Sequence, residues 1–263
     1  MARLLLLLWS LGPMLWQLYT SLQPSSALGG GGHAGWTLEN YQLLFQADPP
    51  FFTYLINSAV VGAASTALTL AIAVPCAYSL SRISRDASRV LSVLVAAAAA
   101  FPAVLLFLAL LEVARDWHLA NHLLALSLPY AGLCLPLALL LLQAAFRDIP
   151  IELEEAALME GMSLWQRLRW VLLPLMGPAM ASAALLIFIF CWNEYPIALT
   201  WLSRSELLTL SPAMARIAGS SVYTIPYGAF AAATVLGSAP LIGLMLVFQR
   251  QIISGLTQGA IKG

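Results

Sequence analysis

Six long apolar runs, separated by short clusters of charges and chain breakers, dominate the sequence: about 4–19, 55–80, 90–111, 123–145, 171–200 and 226–248. A helix of about 20 apolar residues crosses the hydrocarbon core of a bilayer, so these runs predict six membrane-spanning helices. The longest hydrophilic stretch, 146–170, is then a loop between the fourth and fifth spans, and 249–263 is a tail. The expected fold class is all-α integral membrane, one transmembrane domain over 1–263, with no internal repeat and no second soluble domain.

Composition sharpens this. Of 263 residues, 61% are hydrophobic and 9% charged, whereas a soluble domain carries about 25% charged residues. A globular enzyme built on one core is excluded. Twelve basic and twelve acidic residues give no net charge, so the basic stripe that nucleic acid demands is missing. Cys76, Cys134 and Cys191 fall inside apolar runs without paired spacing, which argues against disulfide, zinc or redox work.

Charge also sets the orientation. With the N-terminus inside, Arg3, Arg82, Arg85, Arg89, Arg147, Arg167, Arg169, Arg250 and Lys262 are inner and only Arg115, Arg204 and Arg216 are outer. The positive-inside rule therefore predicts two cytoplasmic termini. Arg3 followed by Leu4 to Trp9, with small residues at Ser25 to Ala27, also has the outline of a secretory signal, but the run is read as the first span. The outer loop 21–53 holds a hinge at Gly29 to Gly32 and then Trp36 and Tyr41, which suit an interfacial belt.

The loop 146–170 breaks into two short helices. Pro150 ends the preceding backbone, and Glu152, Glu154 and Glu155 suit the positive first turn of a helix running to about Glu160. Gly161 stands where a left-handed cap is wanted, and Ser163 with Gln166 has capping-box spacing. The second helix enters the bilayer at Val171, with Pro174 in its first turns. A surface helix lying on lipid is usually rich in Lys and Arg, but this one carries Glu152, Glu154, Glu155 and Glu160. Anionic lipid repels it, so a protein partner is the better reading.

The pattern Glu155-Ala156-Ala157, Gly161, Val171 and Leu173-Pro174 resembles the EAA loop of the membrane subunits of bacterial ATP-binding-cassette importers, with Val171 where isoleucine is common. The segment Phe188 to Tyr195, the tail with Gly255-Leu256-Thr257 and Gly259 to Gly263, and Thr37 to Tyr41 with Asn57-Ser58 are similar to the smaller, six-helix permease subunit of carbohydrate importers of the maltose and trehalose type. The resemblance implies the type I permease fold in the bacterial inner membrane. It implies a second permease subunit as heterodimer partner, two cytoplasmic ATPase subunits that bind ATP and Mg, and an extracytoplasmic sugar-binding protein. On this resemblance the first loop helix is a coupling helix seated in the ATPase. Glu155 would offer a carboxylate to a basic partner residue, Ala156 and Ala157 would allow close approach, and Gly161 would set the interhelical angle on the way to Leu173 and Pro174. The chain itself needs no cofactor and is no enzyme. It lacks a phosphate-cradling Gly-Lys-Ser/Thr motif.

Polar residues within the runs carry two readings each. Glu194 lies inside the fifth run, and a charge at a helix centre costs about 2.5–3.5 kcal/mol on insertion scales, so it must face protein or water. Asn193 and Glu194 would line the translocation path, with Trp192 or Tyr195 as an aromatic face for sugar, or they would fix helices to one another. Asn57, Ser58, Ser65 and Thr69 share one face of the second run, which would line a wet path or bond back to its own helix. Ala229, Ala233 and Gly237 read as helix packing, and His118 and His122 as solvated loop residues without a third ligand. The loop 203–225, with Pro212, Gly219, Ser220 and Ser221, is long enough to reach a binding protein. The competing function is a secondary transporter that uses Glu194 as coupling carboxylate.

Overall fold

In the computed structural model the described residues are 2–24, 35–218 and 226–257, and among them there are helices and no strand. The helices are α1 (Ala2–Ser21), α2 (Glu39–Gln46), α3 (Phe51–Arg82), α4 (Arg85–Ala99), α5 (Ala103–Asp116), α6 (Ser127–Asp148), α7 (Ile151–Met159), α8 (Leu164–Leu175), α9 (Gly177–Asn193), α10 (Pro196–Trp201), α11 (Leu210–Ala218) and α12 (Tyr227–Thr257). Three stretches are long and apolar enough to cross a membrane: Phe51–Arg82, Leu124–Asp148 and Tyr227–Gln249. The bent pair Leu164–Leu175 and Gly177–Asn193 is a fourth if it forms one crossing.

α3 and α6 make the most extensive packing in the bundle. Fully buried Ala73, Ala77 and Ala138 let their backbones approach, as small residues do where the surroundings offer no hydrophobic drive. Tyr130, Leu142 and Phe146 fill the space between these helices and α9. A second cluster joins Leu44, Phe51, Trp192, Leu210, Ala232 and Ala233, where α2, α11 and α12 meet α3 and α9. Large apolar side chains such as Val93, Leu105, Leu108, Leu246 and Val247 face outward, the inverse of a soluble protein and what a lipid solvent asks for.

Two runs read as continuous helices are interrupted, one of them twice. The run 90–111 is divided between α4 and α5, because Pro102 supplies no N–H and steers Phe101 away from helical backbone. The helix expected to enter the bilayer at Val171 instead passes through a π-helical turn at Leu168–Leu172, and α8 meets α9 at a 76° bend. The same run ends at Asn193, with Glu194 extended at ψ 131° and Pro196 opening α10. Beyond 248, where the last run ends, α12 continues to Thr257.

Candidate functional site

The hairpin α7–α8 is built by its caps. Pro150 precedes α7, and Glu152 and Glu154 occupy its first turn. At the far end Gly161 takes φ +80°, its N–H donates to Leu158 O at 2.9 Å and that of Met162 to Ala157 O at 3.1 Å. This is the paired bonding of a Schellman cap. Ser163 and Gln166 close a reciprocal capping box, the Ser163 N–H donating to Gln166 Oε1 at 2.8 Å.

The side chains of α7 divide into two faces. Glu154 and Ala157 are buried, while Glu155, Ala156, Leu158 and Met159 face outward, Met159 at 88% exposure. The Glu154 carboxylate accepts from Arg82 Nε at 2.9 Å, from Arg167 Nη1 at 3.4 Å and from the Tyr78 hydroxyl. Arg82 also donates to Phe146 O at 3.3 Å. One carboxylate thus ties the end of α3 and the start of α8 to the hairpin. Leu173 is half-buried and Pro174 exposed, just before the bend.

A second polar centre lies where α9 breaks. Glu194 Oε1 accepts from the Ile197 N–H at 2.8 Å, and Oε2 from the Ala198 N–H at 3.0 Å and the Tyr130 hydroxyl at 2.6 Å. The carboxylate therefore satisfies the first free donors of α10, which Pro196 begins without one. Trp192 is buried, stacked on Phe188, and donates from Nε1 to Gly237 O at 3.2 Å. Asn193 and Tyr195 are exposed, and Asn193 bonds back to Ile189 O at 2.8 Å. Of the four neighbours, two face inward as braces and two outward.

Asn57 and Ser58 are buried. Asn57 Nδ2 donates to Glu206 O and Leu208 O, both at 2.9 Å, and Ser58 Oγ accepts from the Leu210 N–H at 2.7 Å. They fasten the segment that leads into α11. Ser65 and Thr69 donate to Val61 O and Ser65 O on their own helix, each at 2.7 Å. Gly237 belongs to packing: a Cβ there would meet the Leu210 side chain at 3.0 Å. His118, exposed, adopts φ 55° in the turn after α5. In the same turn Asn121 takes φ 61°, and its Oδ1 accepts from the N–H of Ser203 at 2.7 Å and of Arg204 at 3.3 Å. Gly219, Ser220 and Ser221 lie outside the described residues.

Sequence reasoning gave Glu154 only a place in the acidic first turn and passed over Tyr130 and Asn121. Glu154 and Ala157, three apart, mark the inward face of α7. For Tyr130 and Asn121 no local signal exists, since each acts on chain more than sixty positions away.

Against known proteins, residues 67–256 match the family model described as binding-protein-dependent transport system inner membrane component. The trehalose transport system permease protein SugB of Mycobacterium tuberculosis is 36% identical over 97% of this chain and 93% of its own length. The sulfoquinovosyl glycerol transport system permease protein SmoH of Agrobacterium fabrum is 36% identical over 98% and 91%, and the trehalose/maltose transport system permease protein MalG of Thermococcus litoralis 34% over 95% and 91%. In structure, a chain of a bacterial ABC transporter involved in the import of the acidic polysaccharide alginate superposes with a TM-score of 0.80 at 24% identity, covering 95% of this chain and 94% of that one.

Proposed function

The chain belongs to the family of binding-protein-dependent transport system inner membrane components, and from that premise we propose that it is the smaller permease subunit of an ATP-binding-cassette importer for a disaccharide or a related glucoside. Trehalose, maltose and sulfoquinovosyl glycerol, the substrates in its relatives' names, share a glycosidic linkage. In this reading the chain crosses the inner membrane six times, α1 and the α4–α5 pair supplying two crossings beside the four apolar stretches. Both termini are cytoplasmic. Its partners are a second permease subunit, two ATPase subunits that bind ATP and Mg, and a sugar-binding protein.

The observation that carries the proposal is the hairpin at 151–175: an acidic, outward-facing helix braced from behind by a buried carboxylate. Glu155 and Ala156 on the outer face meet the ATPase, and Ala157 and Gly161 fix the hairpin's shape. Leu173 and Pro174 pass the movement toward α9. Asn193 and Tyr195 face the sugar path, while Trp192, Glu194, Asn57 and Ser58 frame it. Gly219, Ser220 and Ser221 contact the binding protein. A carrier role for Glu194 is disfavoured, since both of its oxygens already accept hydrogen bonds within the chain.

Reconstitution tests the assignment. Proteoliposomes holding this chain, its permease partner and the ATPase should hydrolyse ATP faster when a sugar-loaded binding protein is added outside, with a disaccharide panel giving the specificity. Sugar uptake by this chain alone, driven by an ion gradient, would refute it.

A further inference from the structure

A cavity of about 670 Å³ opens between the start of α4 and the end of α6, and its chemistry is unlike the rest of the molecule. Arg85, Arg89 and Arg147 line it together with Ser88, and Val93 and Leu140 form its apolar wall. No carboxylate lines it. Three arginines therefore share one cavity whose lining holds no carboxylate, although Asp86 lies in the same turn as Arg85, and such a lining favours an anion in the space between them.

The floor is built to hold this arrangement. The Ser88 hydroxyl is buried and donates to Leu80 O at 2.7 Å. It accepts from Gln143 Nε2 at 2.9 Å and from Arg147 Nη2. Gln143 in turn accepts from Ser92 Oγ at 2.9 Å. Arg147 is thereby anchored, whereas Arg85 and Arg89 are exposed on the first turns of α4. Further along the same helix Val90, Val93 and Leu94 are all exposed. The surface thus runs from cationic to apolar in the direction of the helix axis, the profile of a phospholipid headgroup followed by its acyl chains. A soluble phosphate would match the cations and leave the apolar wall unused, and a basic pocket between membrane helices at the cytoplasmic face suits an anionic headgroup.

We propose that this cavity binds the phosphate headgroup of an anionic phospholipid, with its acyl chains lying along the Val90–Leu94 face of α4. The proposal rests on the reading that this end of the bundle faces the cytoplasmic leaflet, but not on which solute is carried.

The test is lipid retention, which needs no transport activity. The full-length chain is placed in nanodiscs of phosphatidylcholine with a minority of phosphatidylglycerol, and the phosphatidylglycerol that stays bound on release into the gas phase is counted by native mass spectrometry. Arg85→Gln combined with Arg89→Gln, both exposed and unneeded for the buried network, should lower the retained lipid about thirtyfold, the order expected for two basic side chains at a membrane surface. Arg204→Gln, which lies elsewhere, should retain as much as the parent. Equal retention in the double variant, or an equal loss in Arg204→Gln, overturns the site. Displacement of the lipid by millimolar inorganic phosphate would overturn the lipid assignment in favour of a free anion.

Discussion

Glu154 and Arg82, 72 positions apart, meet with Oε2 and Nε 2.9 Å from one another, so the last residue of α3 holds the first turn of α7. Removing the Glu154 carboxylate leaves Arg82 Nε and the Tyr78 hydroxyl, both partly buried, without the acceptor they share. Glu154→Ala should therefore lower stability by about 1.5–3 kcal/mol, read as an earlier thermal melt of the purified chain. Glu155→Ala, exposed, should stay within about 0.5 kcal/mol of the parent and lose ATPase binding instead. Equal melts for both variants would remove the bracing role of Glu154.

Gly161 tests the turn. With φ at +80° and open space around its Cα, a side chain there suffers from backbone conformation and not from collision. Gly161→Val should cost about 1–2 kcal/mol and reduce uptake while membrane insertion persists. Full uptake with normal expression would show that the hairpin angle is dispensable.

The Glu194–Tyr130 contact makes a quantitative prediction. In a double-mutant cycle, Tyr130→Phe and Glu194→Gln should be non-additive by at least about 1 kcal/mol in thermal stability, since they share one hydrogen bond to a charged acceptor. Additive losses would mean that the two residues act separately.

Asn57→Ala should release the segment 206–208, because its two donors are what fasten those carbonyls to α3. Limited proteolysis is the readout. Cleavage between Ser203 and Leu210 should accelerate, with the α3–α6 core intact, and an unchanged digestion pattern would deny the fastening role.

Cysteines substituted at Ser220 and Ser221 should crosslink to the binding protein in an ATP-trapped complex. The absence of any crosslink there would sink the assignment of that loop.

How far the sequence could be read follows from the range of the forces involved. Both hairpin caps were legible because the turn at Gly161 and the box at Ser163–Gln166 are made by neighbours in the chain. The break before α10 had a visible sign in Pro196, but the apolar run around it outweighed that sign, and Glu194 was read as a charge in mid-helix instead of a cap. Phe101-Pro102 was passed over for the same reason, although Pro75, Pro136 and Pro240 sit inside continuous helices. Whether a proline breaks a buried helix depends on what its neighbours offer the freed backbone. Asn57 and Ser58 were placed on a possible wet face because the segment they bind is about 150 residues away.

On the proposed coupling role, the elbow between α8 and α9 would act as a bell crank. Backbone hydrogen bonds reach the corner from both sides and meet at Met176, its N–H donating to Leu172 O at 2.9 Å and its carbonyl accepting from the Met180 N–H at 2.8 Å, where the chain turns by 76°. Its arms measure about 18 and 25 Å at 1.5 Å per residue. Tilting the short arm by ~10° about the corner sweeps the tip of the long one sideways by roughly 4 Å, farther than the short arm's own end travels. Such a linkage would trade force for stroke, and would deliver that stroke to the Glu194 end of α9.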